Sequence, residues 1–269
     1  YNPLSEADVF YVQRDEDVLP YPQSLVVTAI MPKDVEDGLS QSELVTKLKQ
    51  DILTPETILI GYNNFSFDDE FLRYTFYRNL EDPYEHEWAD GRSRWDLVHI
   101  ARMMRAISPK DFNWPVVNGK PSNRLEDLAS ANDINHGQAH DAKSDVEATI
   151  GLAKRLRDLN PKIFNELLKL NSTAEAKKLF NTESPQPLIY TSYRIPSDFA
   201  KASLILPLCQ HPERNNYVLA WDLRVSPREF LDLSVEQLTK RAFANWHELK
   251  KLNLKRLPVM EIALNKAPT

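Results

Sequence analysis

The hydrophobic pattern changes character along the chain. Val9-Phe10-Tyr11-Val12 and residues 25–30 are β-branched and aromatic runs of strand type, whereas Ser40-Gln41-Ser42-Glu43 opens a helical pattern through Leu44, Leu48 and Ile52. Residues 57–62 form a short continuous apolar stretch, which predicts a strand buried on both faces. A helix carrying Phe71, Tyr74, Phe76 and Tyr77 is expected after Phe67-Asp68. Another runs from near Trp95-Asp96-Leu97 to about Ile107, and Asn123-Arg124-Leu125-Glu126 has the form of a cap for a third. Strands interleaved with helices predict an α/β domain with a mixed sheet, ending near residue 180.

Residues 181–187 are polar and contain Pro185 and Pro187, the composition of a linker. Beyond them the texture becomes β-rich. Strands are expected over 188–193, 202–209, 217–223 and 258–264, with a helical insertion over about 226–243. The expected organisation is therefore an α/β domain over 1–180, a linker over 181–187 and a smaller, incomplete β-rich domain over 188–269. Because the chain starts at Tyr1 directly before a strand-like segment, it is expected to be a piece of a longer protein.

At 269 residues with 42% hydrophobic content, the chain can bury real cores. No apolar run approaches the roughly 18 residues that span a bilayer, and no basic-then-apolar leader is present, so cytoplasm is the expected location. The single Cys209 excludes an intramolecular disulfide framework and reads as a small buried apolar residue. The net charge of −6 is unevenly spread. Residues 201–269 hold 11 Lys+Arg against 7 Asp+Glu, leaving 22 against 32 for residues 1–200. Carboxylates that hold cations would account for part of the acidic excess, and a surface facing a nucleic-acid backbone for part of the basic one. Lys250, Lys251, Lys255 and Arg256 form the main basic group of the second domain, with an ordinary solvated face as the bland explanation.

Two fragments carry candidate chemistry. Asn64-Phe65-Ser66-Phe67-Asp68 follows an apolar strand pattern, and Ala139-His140-Asp141-Ala142-Lys143-Ser144-Asp145 opens a helix some seventy residues later. Phosphodiester hydrolysis at neutral pH needs a nucleophilic water, charge neutralisation on the phosphate and help for the leaving oxygen. Two divalent ions about 4 Å apart supply all three when acidic side chains hold them, and hard oxygen donors suit Mg²⁺ or Mn²⁺. Asp68 lies just past a strand end, where α/β sheets commonly expose their sites. Asp145 lies one turn into the helix that Asp141 is placed to cap. His140 is suited to take a proton from water, since an unperturbed imidazole titrates near neutrality. His136 with Asp141 offers the same five-residue spacing, and His136 then reads as a loop residue. Asp69 and Glu70 stand beside Asp68 as further candidates.

These fragments, together with Ser93-Arg94-Trp95-Asp96-Leu97, Asn113-Trp114-Pro115, Arg124-Leu125-Glu126, His211-Pro212-Glu213 and Asn265-Lys266-Ala267-Pro268, resemble bacterial exodeoxyribonuclease I, of the DEDDh 3′-to-5′ exonucleases. The resemblance covers nearly the whole chain. It implies an RNase H-like exonuclease domain, an SH3-like domain and a following helical domain around a channel for single-stranded DNA. It further implies two metal ions, Mg²⁺ or Mn²⁺, with metal-site roles for Asp68 and Asp145 and the general base for His140. Release of 5′-mononucleotides from a free 3′ end is the implied reaction, and the acidic tail of single-stranded-DNA-binding protein is an implied partner. Asn64, Phe65, Trp114 and Arg124 are the candidate nucleic-acid contacts; exposed aromatic faces can stack on unpaired bases. For Trp95, in the same motif, its apolar neighbours favour a core position instead.

The Asp-x-Glu pair that the family implies on an early strand is absent from the strand-like runs 9–12 and 25–30. Two other readings remain beside the leading one: an RNA-trimming enzyme of the same chemistry, and a catalytically silent nucleic-acid-binding scaffold. The missing acids predict that the chain by itself has negligible nuclease activity. Robust Mg²⁺-dependent shortening of a single-stranded DNA oligonucleotide by the purified 269-residue polypeptide would refute this.

Overall fold

The computed structural model describes residues 7–15, 18–137 and 141–266. The chain folds as two units that divide between Leu168 and Lys169. The first unit contains α1 (Pro22–Thr28), α2 (Gln41–Lys47), β1 (Ile58–Gly61), α3 (Asp68–Arg78), α4 (Glu85–Trp88), β2 (Ser93–Asp96), α5 (Leu97–Ile107), a small hairpin of β3 (Val116–Val117) and β4 (Lys120–Pro121), α6 (Leu125–Ala131), α7 (Ala142–Leu159) and most of α8 (Pro161–Lys169). The second contains α9 (Thr173–Leu179), β5 (Leu188–Thr191), β6 (Ala202–Gln210), β7 (Tyr217–Asp222), α10 (Val235–Phe243), α11 (Trp246–Lys251) and β8 (Val259–Ala263).

In the first unit β1 and β2 pair in parallel, Ile58 opposite Ser93 through Gly61 opposite Asp96. Parallel neighbours need a long crossover, and α3 with α4 supplies it. The helix expected from Ser40 forms as α2: the Ser40 hydroxyl accepts from the Glu43 N–H and the Glu43 carboxylate accepts from the Ser40 N–H. One core joins Val45 and Leu53 to Phe76 of α3, with Leu48, Leu59 and Leu72 packed against it. Elsewhere in the unit Trp95, Ile100, Met104, Leu128, Leu152 and Leu156 are fully buried. The Trp95 indole N–H reaches the Leu167 carbonyl at 3.2 Å, and its ring meets Phe164 edge-on.

Several expectations change. Residues 25–30 do not form a strand: Pro22 presets the helical φ at the start of α1, and Ala29 closes the helix in a left-handed conformation, so local start and stop signals outweigh β propensity. Val9 to Val12 likewise form no strand, and Val12 makes only an isolated parallel bridge to Leu39. β1 is not buried on both faces, because among the described residues only β2 pairs with it, and Ile58 and Ile60 are exposed. Trp95 and Asp96 belong to β2, with α5 starting only at Leu97.

The second unit is an antiparallel sheet in the order β5-β6-β7-β8, with α10 and α11 between its last two strands. Its core includes Ile205, Val218, Ala220 and Ile262, closed by Ala176 and Phe180. Those last two residues explain why the division falls ahead of α9 and not at 181–187: α9 buries its apolar side in the second unit. Cys209 is exposed, contrary to expectation, because a register shift between Pro207 and Cys209 turns this end of β6 outward. Of the basic group, Lys255 pairs with Glu229 at 2.7 Å, and Arg256 donates to the carbonyls of Ala242 and Ala244 at the end of α10. No helix among the described residues is long and apolar enough to cross a membrane.

Phe76→Ala should destabilise the first unit by about 3–5 kcal/mol, the range for emptying a buried aromatic site. Urea titration followed by circular dichroism should show an earlier transition for the first unit, with that of the separately cored second unit unmoved.

Candidate active site

The turn between β1 and α3 is held by one buried carboxylate. Asp96 Oδ1 accepts from the Asn63 N–H at 2.7 Å and from the Val98 N–H at 3.1 Å, and Oδ2 accepts from the Phe65 N–H at 3.2 Å. Asp96 thus caps α5 and fixes the neighbouring turn. Asn63 takes a left-handed conformation there, with φ 63°, which Asn tolerates better than most residues. Gly61 must lack a side chain, since a Cβ would stand 2.7 Å from the Asn64 Cβ. Burial pushes the Asp96 carboxyl up to about 6 against the pull of those three N–H groups and of Arg102.

This turn delivers three successive acids to the first turn of α3, where the helix dipole favours negative charge. They have different fates. Asp69 is 1% exposed and pairs with Arg94, which also meets Glu87 at 2.6 Å; Glu87 in turn meets Arg73 at 2.5 Å. Asp69 is therefore spent on packing, while Glu70 is exposed. Asp68 sits at the surface with its carboxyl held above the ordinary range, first by desolvation and further by the negative charges of Asp69 and Asp145.

Asp145 comes from α7. As expected, Asp141 caps this helix, its carboxylate accepting from the Ser144 N–H at 2.9 Å, a bond that holds the Asp141 pKa below its usual value. Asp145 lies one turn in, and its negative charge is among the influences that raise the Asp68 carboxyl, although the two residues stand 77 positions apart. His140 lies outside the described residues. His136 occupies a loop as expected, but its ring was not expected at the site: Nε2 lies 2.7 Å from Asp145 Oδ1. The nine-residue separation from Asp145 crosses a loop and a helix cap, and no periodicity signals such a contact.

Of the nucleic-acid candidates, Phe65 is 5% exposed, with the Arg94 guanidinium 4.9 Å from its ring centroid and His99 on its flank. Its ring packs the turn and is closed to stacking on a base. Asn64 is likewise buried, its Oδ1 without a hydrogen-bond partner among the described residues. Both burials have one cause: the Asp96-bound turn folds these side chains inward. Trp114 is half-buried beside Phe112, with Arg105 over its face at 5.7 Å. Arg105 also donates to the carbonyls of Pro115 and Ser122, fixing this loop. Arg124 is the most exposed of the four, with only a 4.0 Å approach to Glu126. It stands at the start of α6 without capping it through its side chain, and Trp95 is core as expected.

Among the described residues no group of three or more His, Cys, Asp or Glu side chains could hold a metal ion. Asp68 and Asp145 each offer only carboxylate oxygens, the donors that a hard divalent cation takes. Their donor chemistry fits such an ion, as part of a larger ligand set.

A family model described as an exonuclease matches residues 5–153, and one for the exonuclease I SH3-like domain matches residues 172–269. Exodeoxyribonuclease I of Haemophilus influenzae is 36% identical over the whole chain, and that of Escherichia coli is 34% identical over the whole chain. The chain spans 57% and 56% of the length of these curated relatives. Among solved structures, E. coli exonuclease I in complex with a dA16 oligonucleotide superposes over the whole chain with a TM-score of 0.90 at 34% identity, covering 57% of that chain. Exonuclease I of Methylocaldum szegediense gives 0.89 at 38% identity, also over the whole chain and 57% of its own. A zinc-bound E. coli exonuclease I–single-stranded DNA complex and an exonuclease I complex with SSB-Ct give 0.88 and 0.87, each at 33% identity over the whole chain and 57% of theirs. The first unit thus has the RNase H-like exonuclease fold and the second the SH3-like fold.

Two buried groups give opposite pH signatures. Asp96, raised by folding from 3.8 to about 6, contributes stability that is fully present below about pH 4 and lost as pH rises through 6. His86 is fully buried beside Phe76, and desolvation with the charges of Arg94, Arg73 and Arg92 pushes it from 6.5 down to about 4. Its contribution is present above about pH 6.5 and lost as pH falls toward 4. In the wild type the slopes offset each other between pH 4 and 6. Asp96→Asn should uncover the His86 slope, so that unfolding free energy from urea titrations rises across that window by roughly 3 kcal/mol. A flat profile in the variant would contradict this assignment.

Proposed function

We propose, from the premise that this chain belongs to the exonuclease family, that it forms part of the site of a 3′-to-5′ exonuclease that degrades single-stranded DNA to 5′-mononucleotides. The exonuclease model's match to residues 5–153, the stretch that carries both Asp68 and Asp145, is the observation that supports this reading most directly. Relatives solved with dA16 and other single-stranded DNA support DNA as the substrate.

Asp68 and Asp145 would share divalent cations, Mg²⁺ or Mn²⁺, with the acids of an Asp-x-Glu strand. Bound there, the ions would activate the attacking water and neutralise charge on the phosphate. Among the described residues β1 pairs only with β2, and its other edge is where such a strand would pair. His140 is assigned the proton of the attacking water, and Asp96 and Asp69 position the turn that carries Asp68. Arg124 would meet a backbone phosphate, and Trp114 would contact the strand from beside Phe112 and Arg105. The exonuclease I–SSB-Ct complex supports the acidic tail of single-stranded-DNA-binding protein as a partner, and the cytoplasm would be the place of action.

The test uses the complete gene product that contains this chain. Asp145→Asn should lower the rate of shortening a 5′-labelled single-stranded DNA by more than about 100-fold, beyond the loss typical of outer-shell changes. A matched RNA should be a poor substrate. Undiminished DNA shortening by the variant, or preferential shortening of the RNA, would overturn the proposal.

A further inference from the structure

We propose that His136 is a positioning residue for Asp145, fixing the carboxylate in the orientation from which it would bind a divalent cation. This rests on the metal-site reading of Asp145 above. A carboxylate accepts hydrogen bonds and cannot donate to an imidazole, so the 2.7 Å contact fixes the proton on Nε2 of His136, pointing at Asp145 Oδ1. Oδ2 is then the oxygen left for another ligand. The two sides of the pair differ in access: the His136 side chain is 10% exposed and that of Asp145 is 40%. The histidine is packed in place, whereas the carboxylate faces outward.

The protein anchors this contact from both directions. The Ile134 N–H donates to the Ala129 carbonyl at 3.0 Å, tying the segment before His136 to the end of α6. Ile134 then packs so closely on α7 that a Cβ at Gly151 would stand 2.6 Å from its Cγ2. Glycine at 151 is thus what lets the loop lie against the helix, six residues beyond Asp145. On the helix side, Asp145 donates its N–H to the Asp141 carbonyl at 2.9 Å, and its own carbonyl accepts from the Thr149 hydroxyl at 2.7 Å. A ring fixed by a packed loop and a carboxylate fixed by a capped helix meet at one hydrogen bond. Ligating carboxylates are commonly oriented in this way by an outer hydrogen bond.

Mn²⁺ binding to the complete gene product, measured by isothermal titration calorimetry, tests this apart from catalysis. His136→Ala should weaken Mn²⁺ binding by about 10-fold or more, and His136→Gln, whose amide can still donate, should recover most of it. Asp145→Ala should abolish the same binding, and adding His136→Ala to it should change nothing further. Mn²⁺ affinity unchanged in His136→Ala, with Asp145→Ala still deficient, overturns the positioning role alone. Wild-type affinity in Asp145→Ala, or no Mn²⁺ binding by the wild type, overturns the metal-site reading and this proposal with it. Thermal unfolding in EDTA accompanies each variant: a loss of apo stability at unchanged Mn²⁺ affinity would mark His136 as merely structural, and also overturns the proposal.

Discussion

One buried carboxylate organises the first unit. Asp96 ends β2, caps α5 and accepts two N–H groups from the turn that leaves β1, so a single side chain joins the parallel strand pair to the start of α3. The donors belong to the left-handed Asn63 and to the single 3-10 turn Asn64–Ser66 that follows it, and the first N–H groups of such a turn have no partner within it. Burying an acid is costly, and the raised Asp96 pKa records that cost. Without it, the residues that carry Asp68 would have two orphaned N–H groups and no fixed path.

A second buried network separates structural from chemical acids. Asp69, Arg94, Glu87 and Arg73 form a chain of alternating charge in which each member has an opposite neighbour. Buried ion pairs of this kind add little net stability but are expensive to break, so they enforce one arrangement. With Asp69 held inside, α3 is fixed in rotation, and Asp68 one position earlier faces the surface. There it meets the charge of Asp145, delivered by a helix that is separately capped by Asp141.

The second unit has its own antiparallel sheet and core, to which α9 contributes before the first strand begins. Its basic residues are less available than their number suggests. Arg256 is bound to helix-end carbonyls, Lys255 to Glu229, and Arg224 to Asp222, which also takes the Ser203 hydroxyl. Much of the positive charge serves the local fold, which weakens any inference from net charge to nucleic-acid contact.

The amino-acid sequence by itself determined the elements whose signals are local. The Ser40 and Asp141 caps, the apolar β1 stretch and the four strands of the second unit are all written in neighbouring residues. Residues 25–30 were misread because a proline start, also local, outweighed the β-branched run that followed it. The remainder was settled only by tertiary structure. Sequence left Asp69 and Glu70 beside Asp68 as further candidates, and the burial of Asp69 depends on Arg94 arriving from a strand 25 residues away. Nor could it show that Phe65 turns inward, or that α9 belongs to the second core. The contact of His136 with Asp145 was equally illegible, because it exists only where a packed loop crosses a helix, and such a crossing leaves no period in the chain.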